Sequence, residues 1–143
     1  MARTIFITLP VADVAVSVAF YEAVGCIRDP RMSGDQATAM IWSDAITFML
    51  ADHYFYRSLA SKPVADVGAT SAALFALSCG SRAAVDAFAA AAVAAGGREV
   101  HGAEDHGFLY SRGVEDPDGH GFGPMWMNET VAVTAILERD TVA

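Results

Sequence analysis

The stretch VEDPDGHGFG, Val114 to Gly123, decides how this chain is read. A β-branched residue leads in, Asp-Pro-Asp-Gly supplies turn chemistry, and an apolar run to Met127 leads out. Pro presets φ, Asp bonds its own backbone, and Gly accepts the positive φ of a tight turn. The stretch therefore predicts two strands, Phe108 to Glu115 and Gly121 to Met127, joined by a turn.

Working back from it, Glu99 to Ala103 reads as another short strand. Before that, RAAVDAFAAAAVAA is a strong helix former, with Ser81 as its N-cap and Gly96–Gly97 as its stop. SAALFALSC, Ser71 to Cys79, is a strand. The first half of the chain has the same order. TIFITLPV, Thr4 to Val11, is a strand whose ladder Pro10 ends by removing a donor. Asp13 caps a helix in which Val14, Val18, Tyr21 and Ala23 or Val24 have helical spacing, and Gly25 stops it. Strands follow at Cys26 to Asp29, Ala37 to Trp42 and Ile46 to Ala51. Leu9 matches Leu77 and Ala19–Phe20 matches Ala87–Phe88, both at an offset of 68.

A repeat of that length is too long for a solenoid unit and predicts a duplicated module. The expected fold is α+β: two βαβββ modules whose mixed sheets curl around a central cleft, with the helices outside. Module one spans about 4–51 and module two about 71–127. Residues 52–70, with the aromatic run HYFYRSL, are expected to be a connecting loop. The tail 128–143 is expected to add a short strand or helix at an edge.

The chain has 143 residues, 54% of them hydrophobic and 18% charged, so it can bury one substantial core. A net charge of −8 argues against nucleic acid, which needs clustered Lys and Arg, and against anionic membrane surfaces. No apolar run after a basic start predicts a secretory leader, and Ala83 to Gly97 is too short and too interrupted to span a membrane. Cys26 and Cys79 have no metal or redox spacing, so two reduced thiols in a cytoplasmic protein are expected.

LPVADVAVSVAFYEAVG followed much later by EDPDGH resembles the vicinal oxygen chelate superfamily, up to about Asn128. DHGFLYSR…EDPDGH…MWM is more narrowly similar to its bacterial-type glyoxalase/bleomycin-resistance branch. In metal-dependent members, strands one and four of each module supply His or Gln, Glu, His and Glu to a divalent ion. The resemblance puts those positions at Phe6, Met49, Leu74 and Gly123. None offers an oxygen or nitrogen donor, and neither do the neighbouring residues on either side. The expectation is therefore no metal and no cofactor, with the cleft binding a small, partly aromatic molecule, as the metal-free bleomycin-resistance members do. Two readings stand beside it: a metal-dependent lyase or dioxygenase with non-standard ligands such as His53, His106 or Glu115, and an interaction module whose cleft is filled.

No catalytic residue is assigned. The candidate ligand-binding residues are Phe6, Thr8, Met49, Leu74, His106, Tyr110, Arg112 and Met125. Thr8 shares the parity of Phe6, and Tyr110 and Arg112 follow His106 with one parity, as strand side chains alternate. Methionine and aromatic side chains suit a flat apolar ligand. His120 is expected to serve turn geometry, and His101 to be exposed. A homodimer is expected, with HYFYRSL as apolar surface for the partner.

Overall fold

The computed structural model describes residues 3–128; the expected tail element falls at 129–143, outside the described residues. The elements are β1 (Ile5–Val11), α1 (Val14–Ala23), β2 (Ile27–Ser33), β3 (Ala37–Ile41), β4 (Ile46–Asp52), α2 (His53–Leu59), β5 (Leu74–Ser78), α3 (Arg82–Ala94), β6 (Arg98–Asp105), β7 (Leu109–Glu115) and β8 (Gly121–Met127). They form two four-stranded mixed sheets ordered β1-β4-β3-β2 and β5-β8-β7-β6. In each sheet the first strand runs parallel to the fourth, and the other neighbours are antiparallel. The duplicated βαβββ module is thus present, and neither sheet closes into a barrel.

The helix signals act as expected. The Asp13 side chain accepts from the Val16 N–H, and the Ser81 hydroxyl from the Ala84 N–H at 3.0 Å. Gly25 and Gly96 end their helices at φ of +116° and +98°, a conformation that costs a Cβ-bearing residue energy. The buried stripe of α1 is Ser17, Phe20 and Tyr21, continued by Val24 at the C-cap, while Val16 faces solvent. Val14 and Val18 only pack against its margin. A helix apolar on most sides does not declare which side it buries.

Residues 52–70 differ from the expected plain loop. The Asp52 carboxylate accepts from the Phe55 N–H at 2.7 Å and starts α2. Seven residues rich in aromatics are too few to show a 3.6-residue period.

One apolar core joins the modules. Phe48 of β4 meets Phe122 of β8 at 5.6 Å and Phe75 of β5 at 5.9 Å between ring centroids, and Tyr21 of α1 meets Phe122 at 5.8 Å. Trp42, at the end of β3, meets Phe88 of α3 edge-on at 5.7 Å. Helix α1 packs on β2, β3 and β4, and α3 on β6, β7 and β8. Each helix turns its other side to solvent.

Candidate functional site

The Asp-Pro-Asp-Gly turn is a clamp between the modules. Asp116 is buried, and its Oδ1 accepts the backbone N–H groups of Asp118, Gly119 and His120 at 2.9–3.0 Å. Its Oδ2 accepts from the Tyr21 hydroxyl, 95 residues away in sequence, at 2.8 Å. Asp118 accepts from the Ala12 N–H, and His120 Nε2 lies 2.8 Å from the Pro10 carbonyl. Burial first, and the Asp116 charge second, hold the Tyr21 phenol well above its ordinary pKa. It therefore stays a donor to the carboxylate. Burial, and next the charge of Asp116, raise the pKa of Asp118, although its bond from Ala12 opposes this.

The sheet faces turned away from the helices follow from alternation. Phe48 and Leu50 are in the core, so Met49 between them points the other way. Leu9 and Val11 are in the core, so Phe6 and Thr8 lie on the opposite face. Likewise Leu77 and Phe122 are buried, which puts Leu74, Ala76, Gly121, Gly123 and Met125 on the open face of the second sheet.

On that face, the pairing of Ser111 with Met125 and of Val114 with Phe122 sets Gly113 opposite Gly123. Gly123 in turn pairs with Ala76. In this row three adjacent strands carry no side chain of their own beyond one methyl; the His101 ring lies over Gly113, where a Cβ would stand, and a hollow of about 390 Å³ lies over Gly123 and Ala76. Leu74, Leu109 and Met125 form apolar walls, and His101, Ser111 and Glu115 are polar points on the lining. In the first sheet the equivalent row is Ala39, Met49 and Thr8. There the thioether of Met49 stands where the second sheet has Gly123.

A family model for the glyoxalase/bleomycin resistance protein/dioxygenase superfamily matches residues 4–123. The chain belongs to this superfamily. Among solved structures it is similar in fold to three further proteins. A hypothetical protein from S. aureus has 19% identity and a TM-score of 0.74, covering 88% of this chain and 94% of that one. A family enzyme from Burkholderia phytofirmans has 17% identity and a TM-score of 0.72, covering 88% and 99%. A glyoxalase-related enzyme from Fulvimarina pelagi has 19% identity and a TM-score of 0.74, covering 88% of each chain. The search of curated proteins found no match.

The metal of the metal-dependent superfamily members does not fit the positions that the resemblance assigns. Phe6, Met49, Leu74 and Gly123 are on the open sheet faces, but a ring, a thioether, an isobutyl group and a hydrogen give a hard or borderline cation no oxygen or nitrogen. Among the described residues no three His, Cys, Asp or Glu side chains cluster as a metal site.

The eight candidate residues do not converge on one hollow in the single chain. Leu74 and Met125 line the second-sheet hollow, whose lining comes from module two alone. Met49 lines a separate depression with Met32, Gln36 and Phe55. Thr8 lines a third cavity, between the modules. Phe6 is 56% exposed on β1. His106 is in the β6–β7 turn, mostly exposed, with Nε2 3.8 Å from Glu104.

Tyr110 and Arg112 are turned to α3 rather than standing free in the hollow. The Tyr110 hydroxyl donates to Asp86 at 2.7 Å, and Arg112 bridges Asp86 and Glu99 at 3.0 and 2.9 Å. Those bonds, from Glu99 first, raise the pKa of Arg112 further. Arg112 contributes to the hollow as wall. His120 is structural, as its place after the turn implies.

His101 is the residue that sequence reasoning missed. It lines the hollow with its ring over Gly113, in the space a Cβ there would need. The register of β6 shifts between Glu99 and His101, and again before Glu104. Each shift resets which face a side chain takes, so parity counted along β6 misleads. The floor did leave a signal: glycine inside a strand marks a close approach or a space.

Proposed function

We propose that this superfamily member works without a metal and binds a small, partly aromatic molecule in the hollow on the second sheet. The side-chain-free floor at Gly123 and Ala76, bounded by the His101 ring over Gly113, carries this reading, because a planar apolar ring can lie there between Leu74, Leu109 and Met125. His101 and Ser111 would orient a polar substituent at the edge. The donor-free side chains at Phe6, Met49, Leu74 and Gly123 support the metal-free part. We further propose a homodimer that covers these faces. Phe6 is 56%, Tyr54 70% and Leu74 80% exposed, apolar side chains that a second copy of the chain would cover. No described helix is long and apolar enough to cross a membrane, and a cytoplasmic site of action, with neither nucleic acid nor lipid as partner, fits the acidic chain.

The test is titration with 2-naphthol, followed by the fluorescence of Trp126 and Trp42, for the parent and for Gly123→Leu. A Cβ at Gly123 meets nothing nearer than the Arg112 carbonyl oxygen at 3.7 Å, so leucine enters the hollow without disturbing the fold. Binding by the parent and its loss in Gly123→Leu are expected. Equal binding by both sinks the assignment of the site. Stoichiometric Zn, Ni, Mn or Fe in purified protein, with an activity lost on chelation, sinks the metal-free reading in favour of a lyase or dioxygenase.

A further inference from the structure

The cavity between the modules has a volume of about 540 Å³ and adjoins the second-sheet hollow, since Phe75 and Gly121 line both. The free edge of β1, helix α2, the 60–73 segment and the start of β5 enclose it. Ile5, Ile7, Val67 and Phe75 make it apolar, Tyr56 borders it, and His120 forms part of its wall. Such a volume suits a small organic molecule far better than one or two waters.

His120 is 7% exposed. Its Nε2 faces the Pro10 carbonyl at 2.8 Å. A carbonyl can only accept, so Nε2 carries the ring hydrogen and the neutral ring keeps a lone pair on Nδ1. Nδ1 has no hydrogen-bond partner among the described residues. Nδ1 is not among the polar atoms closed off from solvent, and His120 lines the cavity, so a ligand N–H or O–H there would take the place of water. The turn clamp meanwhile holds the backbone at this residue, since Asp116 accepts the His120 backbone N–H.

We propose that this inter-module cavity is a second binding site, taking a small apolar ring that carries one hydrogen-bond donor, such as a phenol or an indole, with the donor on Nδ1 of His120. The site is distinct from the one proposed on the second sheet, although Phe75 and Gly121 border both, and it offers one fixed acceptor in a mostly apolar lining.

Indole and 1-methylindole are the probes, because they have nearly the same shape and differ in the N–H. Calorimetric titration of the whole chain is expected to give indole roughly 3- to 10-fold tighter binding, the net worth of one hydrogen bond made in exchange for water. His120→Gln keeps an amide N–H for Pro10 and moves the acceptor from Nδ1 to the adjoining amide oxygen, so the preference for indole over 1-methylindole should shrink. Ala73→Trp, projecting into the cavity, should remove both, and Gly123→Leu should change neither. Should His120→Gln fail to fold, the parent and Ala73→Trp alone decide. Equal affinity of the two probes for the parent overturns the proposal. So does indole binding that survives Ala73→Trp but not Gly123→Leu, which would move the ligand to the second-sheet hollow.

Discussion

Removing the Tyr21 hydroxyl should weaken the whole molecule, because that one group joins α1 to the turn of the second module. Tyr21 is 1% exposed and Asp116 is 3% exposed, so no water replaces the lost donor. In Tyr21→Phe the ring still packs on Phe20, Phe48 and Phe122, and no cavity larger than the oxygen is made. The loss is then the hydrogen bond to a buried carboxylate, about 1.5–3 kcal/mol. At roughly 3–5 °C per kcal/mol for a chain of this length, the melting temperature should fall by roughly 5–15 °C. Urea unfolding followed by circular dichroism, with the slope unchanged, measures it. Asp116→Asn keeps an oxygen for the three turn N–H groups and removes the charge that Tyr21 serves. The cycle of Tyr21→Phe, Asp116→Asn and the double variant should therefore show a coupling of about 1 kcal/mol or more. A single-variant loss under about 0.5 kcal/mol, or strict additivity, would refute the clamp as an energetic link between the modules.

Two further outcomes follow from buried polar groups. The Ser17 hydroxyl is buried without a partner, so Ser17→Ala should stabilise the fold by about 1 kcal/mol; a lower melting temperature for this variant would show that the hydroxyl is satisfied after all. Asp118 has a raised pKa in the folded state, so its stabilising contribution is present below the unfolded value of 3.8 and is lost as pH rises through the folded pKa. Asp118→Asn, which can still accept from Ala12, should therefore raise stability at neutral pH, and that gain should vanish below the carboxylate range; a gain independent of pH in urea titrations would contradict this.

The order of elements was legible because each signal is local. Asp13 and Ser81 cap helices with their own side chains, Gly25 and Gly96 stop them with their own φ, and Asp-Pro-Asp-Gly turns on bonds that Asp116 makes within four residues. The duplication followed from the offset shared by Leu9 with Leu77 and Phe20 with Phe88. Alternation along β1, β4, β5 and β8 also put Phe6, Met49, Leu74 and Gly123 on one kind of face.

Three other features depended on contacts between distant residues. The partner of the Asp116 carboxylate is Tyr21, and no spacing in the sequence pairs them. The polarity of Tyr110 and Arg112 gave no sign that Asp86 on α3 would take both. In β6, two register shifts moved His101 beside the glycine floor, because one inserted residue reverses the face of every side chain beyond it. Local chemistry thus determined what each segment becomes. The packing of the two modules decided which polar groups are consumed by the fold, as Asp116 and Tyr21 consume each other.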